Sequence, residues 1–249
     1  MSNPIHIARQ SATMNRTVAI VQSNYLPWKG YFDLMARVDE FVLYDSVQYT
    51  RRDWRNRNRI KTPTGLRWLS IPVKSKGHYT ASIRDMRVAD SRWALQHWQT
   101  IRHTYAKAPY FLDYAEPLEA FYRTLDTPWL SEINAGSLRL LCTFLGIHTS
   151  ITSCADYVVD PGCDATERLL CMCQQMGAQT YVSGPSAQAY LRTDVFEQAG
   201  IEIQYMDYSG YPQYPQPYGG FEHHVSAIDL LFQTGPQARQ YLQCGRRDG

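Results

Sequence analysis

The stretch from Val18 to Lys61 constrains the fold most. Val18-Ala19-Ile20-Val21 is a short apolar run, as a buried parallel strand requires. Gln22-Ser23-Asn24-Tyr25-Leu26-Pro27-Trp28-Lys29-Gly30 breaks the pattern with turn and polar residues. Tyr31, Phe32, Leu34, Met35 and Val38 then recur at helical spacing, and Phe41-Val42-Leu43-Tyr44 forms a second apolar run ending at Asp45. This is a βαβ unit. Ligands of such units sit outside the carboxyl ends of the strands. Both strands end in polar sequence there, Gln22-Ser23-Asn24 after the first and Asp45-Ser46-Val47-Gln48-Tyr49 after the second, so this edge is the first candidate site.

The rest of the chain extends the same class. Apolar or alternating runs at 66–73, 149–152, 180–182 and 201–205 read as strands, with a short one beginning at Ser82-Ile83. Helical periods cover 93–106 (with Ser91 as N-cap), 110–125, 129–145, 166–176, 194–199 and 225–232, and a last helix runs to about Leu242. Gly146 and Gly177 stand where helices are capped. The expected architecture is α/β: a parallel-sheet, nucleotide-binding-like core with helices on both faces, one domain over 17–245, and a helical insertion or lid over about 91–146. Residues 1–16 read as a disordered tail, with Met14 as a candidate start.

Composition narrows the function. The charge balance, 25 basic against 23 acidic residues, gives no general nucleic-acid footprint. It is uneven, however. Arg51, Arg52, Arg55, Arg57, Arg59 and Lys61 crowd together with only Asp53 opposing them. In an extended segment Arg55, Arg57 and Arg59 share one face, and Trp54, Asn56 and Asn58 the other. Such a ladder suits a diphosphate gripped by bidentate bonds. The alternative is a charged edge strand that resists aggregation, but the density of arginine favours the anion site. Lys74-Ser75-Lys76-Gly77-His78-Tyr79 is a basic loop that reads equally as a phosphate contact or a hairpin tip.

A second candidate lies at Ser183-Gly184-Pro185-Ser186, where strand 180–182 runs into a loop and helix start. Free N–H groups and hydroxyls there suit an anion; the alternative is an ordinary strand-to-helix turn. The segment 208–218, rich in Tyr and Pro, cannot be regular structure, and is either a flexible loop or an aromatic wall of the site. There is no P-loop, G-x-S-x-G, H-E-x-x-H or paired C-x-x-C, and no metal site is expected. The acid/base candidates are Asp45, Gln48 and Asp229, with His223 and His224 the best histidines. His97 and His103, on an amphipathic helix, read as structural. No stretch has membrane-spanning length or the form of a secretory signal, so the six cysteines are expected to be reduced in a cytoplasmic protein.

The motifs Gln22 to Phe32, Tyr44 to Tyr49, Trp54 to Lys61, Ser183 to Ser186 and Ser226 to Phe232 together resemble the WbqC-like family, over roughly Thr17 to Leu242. The resemblance implies a role in bacterial surface-polysaccharide (O-antigen) biosynthesis, with acyl or aminoacyl transfer to an amino-sugar nucleotide as a fitting reaction. Amide formation requires activation, which implies ATP or an activated acyl donor. In that reading Arg55, Arg57 and Arg59 hold phosphates, Lys61 is a further substrate contact, Tyr25 and Trp28 stack a ring, and Asp45 deprotonates the amine. Gln22, Asn24, Gly30, Tyr31, Asn56, Asn58 and Ser183 to Ser186 complete the substrate contacts. The opening unit is also similar to nucleotidyltransferases and pantothenate synthetase. Their His-x-Gly-His is Trp28-Lys29-Gly30-Tyr31 here, so the glycine is kept and both histidines are replaced. The alternatives are a nucleotide or sugar-nucleotide binder without chemistry and a nucleotidyltransferase-like enzyme.

Overall fold

A computed structural model describes residues 15–244. Five strands, β1 (Thr17–Val21), β2 (Glu40–Leu43), β5 (Ser150–Ser153), β6 (Thr180–Ser183) and β7 (Glu202–Tyr205), form one sheet in the order β5-β2-β1-β6-β7. Every neighbouring pair is parallel. A separate antiparallel hairpin joins β3 (Arg57–Thr62) and β4 (Gly65–Ser70). The helices are α1 (Lys29–Met35), α2 (Trp93–Tyr105), α3 (Phe111–Thr124), α4 (Leu130–Leu145), α5 (Ala165–Gln175), α6 (Thr193–Gln198) and α7 (Ala227–Thr234).

Alternation along the strands assigns the two faces. Val18, Ile20, Val42 and Tyr181 pack with Leu169, Met172, Cys173 and Phe196 of α5 and α6. Ala19, Phe41, Leu43 and Val182 face the larger core, built with α1, α2, α3, α4 and α7. Helices therefore cover both faces, as a sheet of apolar parallel strands demands. The three helices between β4 and β5 supply buried Trp98, Ile101, Tyr105, Leu118, Leu138 and Leu141 to that core. In this structure they are a layer of the main core.

Several local expectations shift. The strand expected at 82–83 is one isolated bridge, Gln48 to Ser82. The last helix is a 3-10 turn, Gly235–Tyr241. Ser91 does not cap α2, whose N-cap is Arg92 without a side-chain bond. Gly146 does end α4 in the left-handed region, and Ile147 N–H reaches the Cys142 carbonyl at 2.9 Å. The tail expected over 1–16 lies outside the described residues up to position 14. Arg16 is described and tied down: its backbone N–H donates to Gln179 and its guanidinium to buried Glu40, each at 2.6 Å.

Gly30, in the first turn of α1, has a packing role. A Cβ there would stand 2.3 Å from the Trp28 indole. The ring can lie back over the helix only because the position is glycine. Gly30→Ala is expected to cost about 1–3 kcal/mol, the usual penalty of overpacking. Thermal melting checks it, with Trp fluorescence reporting the displaced indole; an unchanged midpoint would count against this role.

Candidate functional site

The loops after β1, β2 and β6 open on one edge, because parallel strands send their carboxyl ends the same way. Asp45 follows β2 and Ser183 ends β6, so both stand at that edge. Within it the Asp45 carboxylate receives the Ser23 backbone N–H at 2.8 Å, locking the first two loops together. Asn134, fully buried on α4, donates to Ser23 Oγ and to the Arg55 carbonyl, both at 2.9 Å. Burial raises the Asp45 pKa, against the pull of the Ser23 hydrogen bonds and the Arg55 charge.

The arginine ladder divides. Arg55 precedes the strand, and its guanidinium turns inward to the side-chain oxygens of Gln22 and Asn24. It braces the loop, with the Asp53 carboxylate 3.6 Å away. Asn56 likewise caps the Ile71 carbonyl at 2.8 Å. Within β3 the period of two holds: Arg57 and Arg59 are half-exposed, and Asn58 and Ile60 are buried. Asn58 reaches the Leu26 carbonyl at 2.7 Å, pinning a loop in which Leu26 takes φ 41°. Trp68, paired with Arg59 across the hairpin, underlies both cations, with Arg57 4.1 Å and Arg59 5.6 Å from its ring centre. Trp54, 5.5 Å from Trp68, lies on this arginine side and not on the asparagine side as its number predicts, because the strand begins only at Arg57.

Beside this platform is a cavity of about 150 Å³, lined by Asn24, Pro27, Trp28, Trp54, Asn58 and His224. The His224 ring lies 5.0 Å from that of Trp28. The Arg59 guanidinium touches both walls, donating to the His224 carbonyl at 3.3 Å and lying 5.8 Å from the Trp54 ring. Glu222 Oε1 is 3.4 Å from His224 Nδ1. The site thus offers flat rings, one imidazole and two half-exposed guanidinium groups, a combination suited to a phosphorylated ring compound.

Other expected contacts belong to the interior. Tyr25 is fully buried, with its hydroxyl on His97 Nδ1 at 2.9 Å and on the Tyr122 hydroxyl at 2.5 Å, so it presents no face to a ligand. Tyr31 donates to the Gln22 carbonyl at 2.9 Å and is 5% exposed. Gln48 is exposed and donates to the Tyr79 carbonyl at 2.7 Å, fastening the basic loop. Lys61 is buried under the Tyr/Pro segment, on Gln216 Oε1 at 3.0 Å and the Gly220 carbonyl at 2.5 Å. Asp229 is fully buried and receives Tyr105, Tyr214 and Gln216, each at 2.8 Å. With that set filled it braces the fold and has no open side for a substrate. Gly184-Pro185-Ser186 opens a 3-10 turn of five residues, Pro185–Ala189, too short to supply the expected helix dipole. His223 packs edge-on against Phe221, and burial and neighbouring Lys29 lower its pKa.

The Tyr/Pro segment is a strap. Tyr208 and Tyr211 flank Trp28, Tyr211 donates to Asp33, and Tyr214 to Asp229. Buried Lys29 donates to the Pro212 carbonyl at 2.9 Å amid the rings of Tyr211, Tyr214 and Phe221. The segment walls the cavity only from behind, by holding Trp28. Asn134, Trp68 and Glu222 escape sequence reasoning: Asn134 acts through Ser23 and Arg55, distant in the chain, Trp68 across a hairpin whose register the sequence does not show, and Glu222 through its near neighbour His224; for Trp68 the alternation of β4 was the available signal. Among the described residues no three His, Cys, Asp or Glu side chains converge as a metal-ligand set, and no helix is long and apolar enough to cross a membrane.

Comparison with known proteins gives a consistent result. An uncharacterized protein of Mycobacterium tuberculosis is 46% identical over 232 residues, which span 93% of this chain and 100% of that one. No solved structure matches the chain significantly. The WbqC-like protein family matches residues 22–241, which include the Trp28 loop, the β3 arginines and the α7 cap, and the chain belongs to that family.

Proposed function

We propose that the chain binds a nucleotide or sugar nucleotide at the Trp28–Trp54–His224 cavity and serves surface-polysaccharide biosynthesis by passing an acyl or aminoacyl group to an amino sugar. The observation that carries the binding step is Arg59, whose guanidinium reaches both the Trp54 and His224 walls of the cavity while Arg57 lies next to it on Trp68. The rings take the flat part of the ligand and the guanidinium groups its phosphates. Asp45 is enclosed by the loop it joins, so His224, the titratable side chain in the lining, is the group placed to accept the amine proton. Activation of the carboxylate falls to ATP or to an activated acyl donor.

Arg57→Ala and Arg59→Ala are expected to weaken sugar-nucleotide binding by about tenfold to a hundredfold each. That is the scale of one charge-assisted hydrogen bond, about 1.5–3 kcal/mol. The melting temperature should stay near wild type because both side chains are half-exposed. Calorimetric titration against a panel of nucleotides and amino-sugar nucleotides checks this; affinity unaltered in both variants would move the site elsewhere. Mass spectrometry after incubation with ATP, glycine and the same panel tests the transfer step.

A second reading, binding without chemistry, is favoured by one observation. Asp45 and Asp229 are both buried and hydrogen-bonded to their surroundings. Ligand binding with no product from free or activated donors would select it. Product formation that His224→Gln abolishes, with binding retained, would select transfer.

A further inference from the structure

The carboxyl edge carries a second, larger cavity on the α5 side of the sheet. Its volume is about 490 Å³, within the roughly 300–1,000 Å³ common for small-molecule sites. Tyr44 leads into it from β2, Tyr157 from the segment after β5, and Met172 from α5, giving apolar and ring-bearing walls. Arg84 and Arg168 supply the charge. Arg168 is held in place by two neutral acceptors, the carbonyls of Cys163 and Pro161, each at 2.8 Å. These bonds orient the guanidinium without cancelling its charge. The carboxylates at the start of α5, Asp164 and Glu167, are drawn off by Arg192 at 2.5 and 3.3 Å. Arg84 is exposed and only 3.9 Å from Asp85, whose other oxygen takes the Ser82 hydroxyl. The opposing acid in the lining is Asp160, one oxygen of which receives the Gly162 N–H at 2.7 Å. The lining thus holds two guanidinium groups and one carboxylate, with Asp85 pairing Arg84 from outside it, and Arg168 is the cation without a carboxylate partner among the described residues.

We propose that this cavity is a second ligand site, for a small organic anion whose carboxylate or phosphate meets Arg84 and Arg168 and whose ring or apolar body lies between Tyr44, Tyr157 and Met172. Its position supports the assignment. Parallel sheets receive ligands at this edge. Asp45 also sits between Tyr44 and Ser46, which line this cavity, and is bonded to Ser23, whose neighbour Asn24 lines the first. The two cavities are thus linked through one pair of joined loops. The site itself does not depend on what the Trp28 cavity holds.

Phenyl phosphate and benzoate, titrated calorimetrically into the full chain, test the proposal and separate the two anion types. At least one is expected to bind at millimolar concentration through a component that Arg84→Ala weakens and Arg59→Ala leaves in place, because the Trp28 cavity can itself take phenyl phosphate as a separate component. Binding by phenyl phosphate alone assigns a phosphorylated ligand, and by benzoate alone a carboxylic acid. Arg84→Ala should weaken the bound probe about tenfold. Ala155→Trp, at the exposed mouth, should abolish this component, with Val159→Trp as a replacement if the first variant melts early. Arg59→Ala should leave it unchanged, which separates this site from the one proposed for nucleotides. Failure of both probes to bind, or binding untouched by Arg84→Ala or by the cavity-filling variant, would overturn it.

Discussion

Asp229→Ala is expected to remove about 3–5 kcal/mol of folding stability, the range found when one partner of a buried charged network is deleted. The carboxylate is fully buried and is the shared acceptor for Tyr105, Tyr214 and Gln216. Without it two phenol hydroxyls lose their acceptor inside the core, each at a desolvation cost of about 1–3 kcal/mol before relaxation, while the Gln216 amide keeps the Glu222 carbonyl. Lys61 loses a nearby countercharge as well, since it attracts Asp229 and is bonded to Gln216. For a domain of this size the loss corresponds to roughly 6–20 °C in melting temperature. Urea unfolding followed by tryptophan fluorescence measures it. The strap should also open locally, so limited proteolysis is expected to cut first between 207 and 220. Asp229→Asn, which keeps the shape and one acceptor oxygen, should fall between wild type and Asp229→Ala. A loss below about 1 kcal/mol in the alanine variant would mean that the tyrosines find other acceptors and that Asp229 is not the anchor.

The same carboxylate shows how far the sequence could be read. Asp229 stands out as an acid in an apolar helix, and that signal is compatible with catalysis or with a buried anchor. What decides between them is whether its acceptor set is filled, and the fillers come from Tyr105 on α2 and Tyr214 on the strap, 124 and 15 residues away. Asp33 repeats the pattern, receiving Tyr211 and the Cys244 N–H. Strands such as Val18 to Val21 were legible because burial on both faces writes itself into a continuous apolar run. The arginine segment was legible in its period but not in its register. Once β3 begins at Arg57, Arg55 is free to turn into the Gln22–Asn24 loop and Trp54 to join the arginine side. The sequence sets Gly30 beside the glycine of the His-x-Gly-His junction of nucleotidyltransferases. The structure gives it a steric reason of its own, the indole of Trp28.

His97 is expected to make the fold acid-sensitive between about pH 6.5 and 4. Its ring is 8% exposed, Nδ1 lies against the Tyr25 hydroxyl, and it also bonds the Ser70 carbonyl. Burial, and to a lesser extent the Arg67 charge, pull its pKa down from 6.5 to about 4, against the Ser70 bond. The imidazole is therefore neutral in the folded chain and takes up a proton on unfolding whenever the pH lies below about 6.5. A depressed folded pKa means that the stabilisation is complete above the unfolded value and is lost as pH falls toward the folded one. Each pH unit of that window is worth about 1.4 kcal/mol, so about 3 kcal/mol is at stake across it. Asp45 and Asp229 act with the opposite sign. Burial raises both, so acidification through the window from their folded values down to 3.8 favours the fold and masks part of the loss. Comparison with His97→Gln isolates the histidine, because the carboxylates titrate in both proteins. Urea midpoints measured from pH 7.5 to 4.5 should fall more steeply for wild type than for His97→Gln, and the two curves should converge toward the acid end. Parallel curves would show that the His97 pKa is the same in the folded and unfolded chain, so that the Tyr25–His97–Tyr122 cluster takes up the proton without cost.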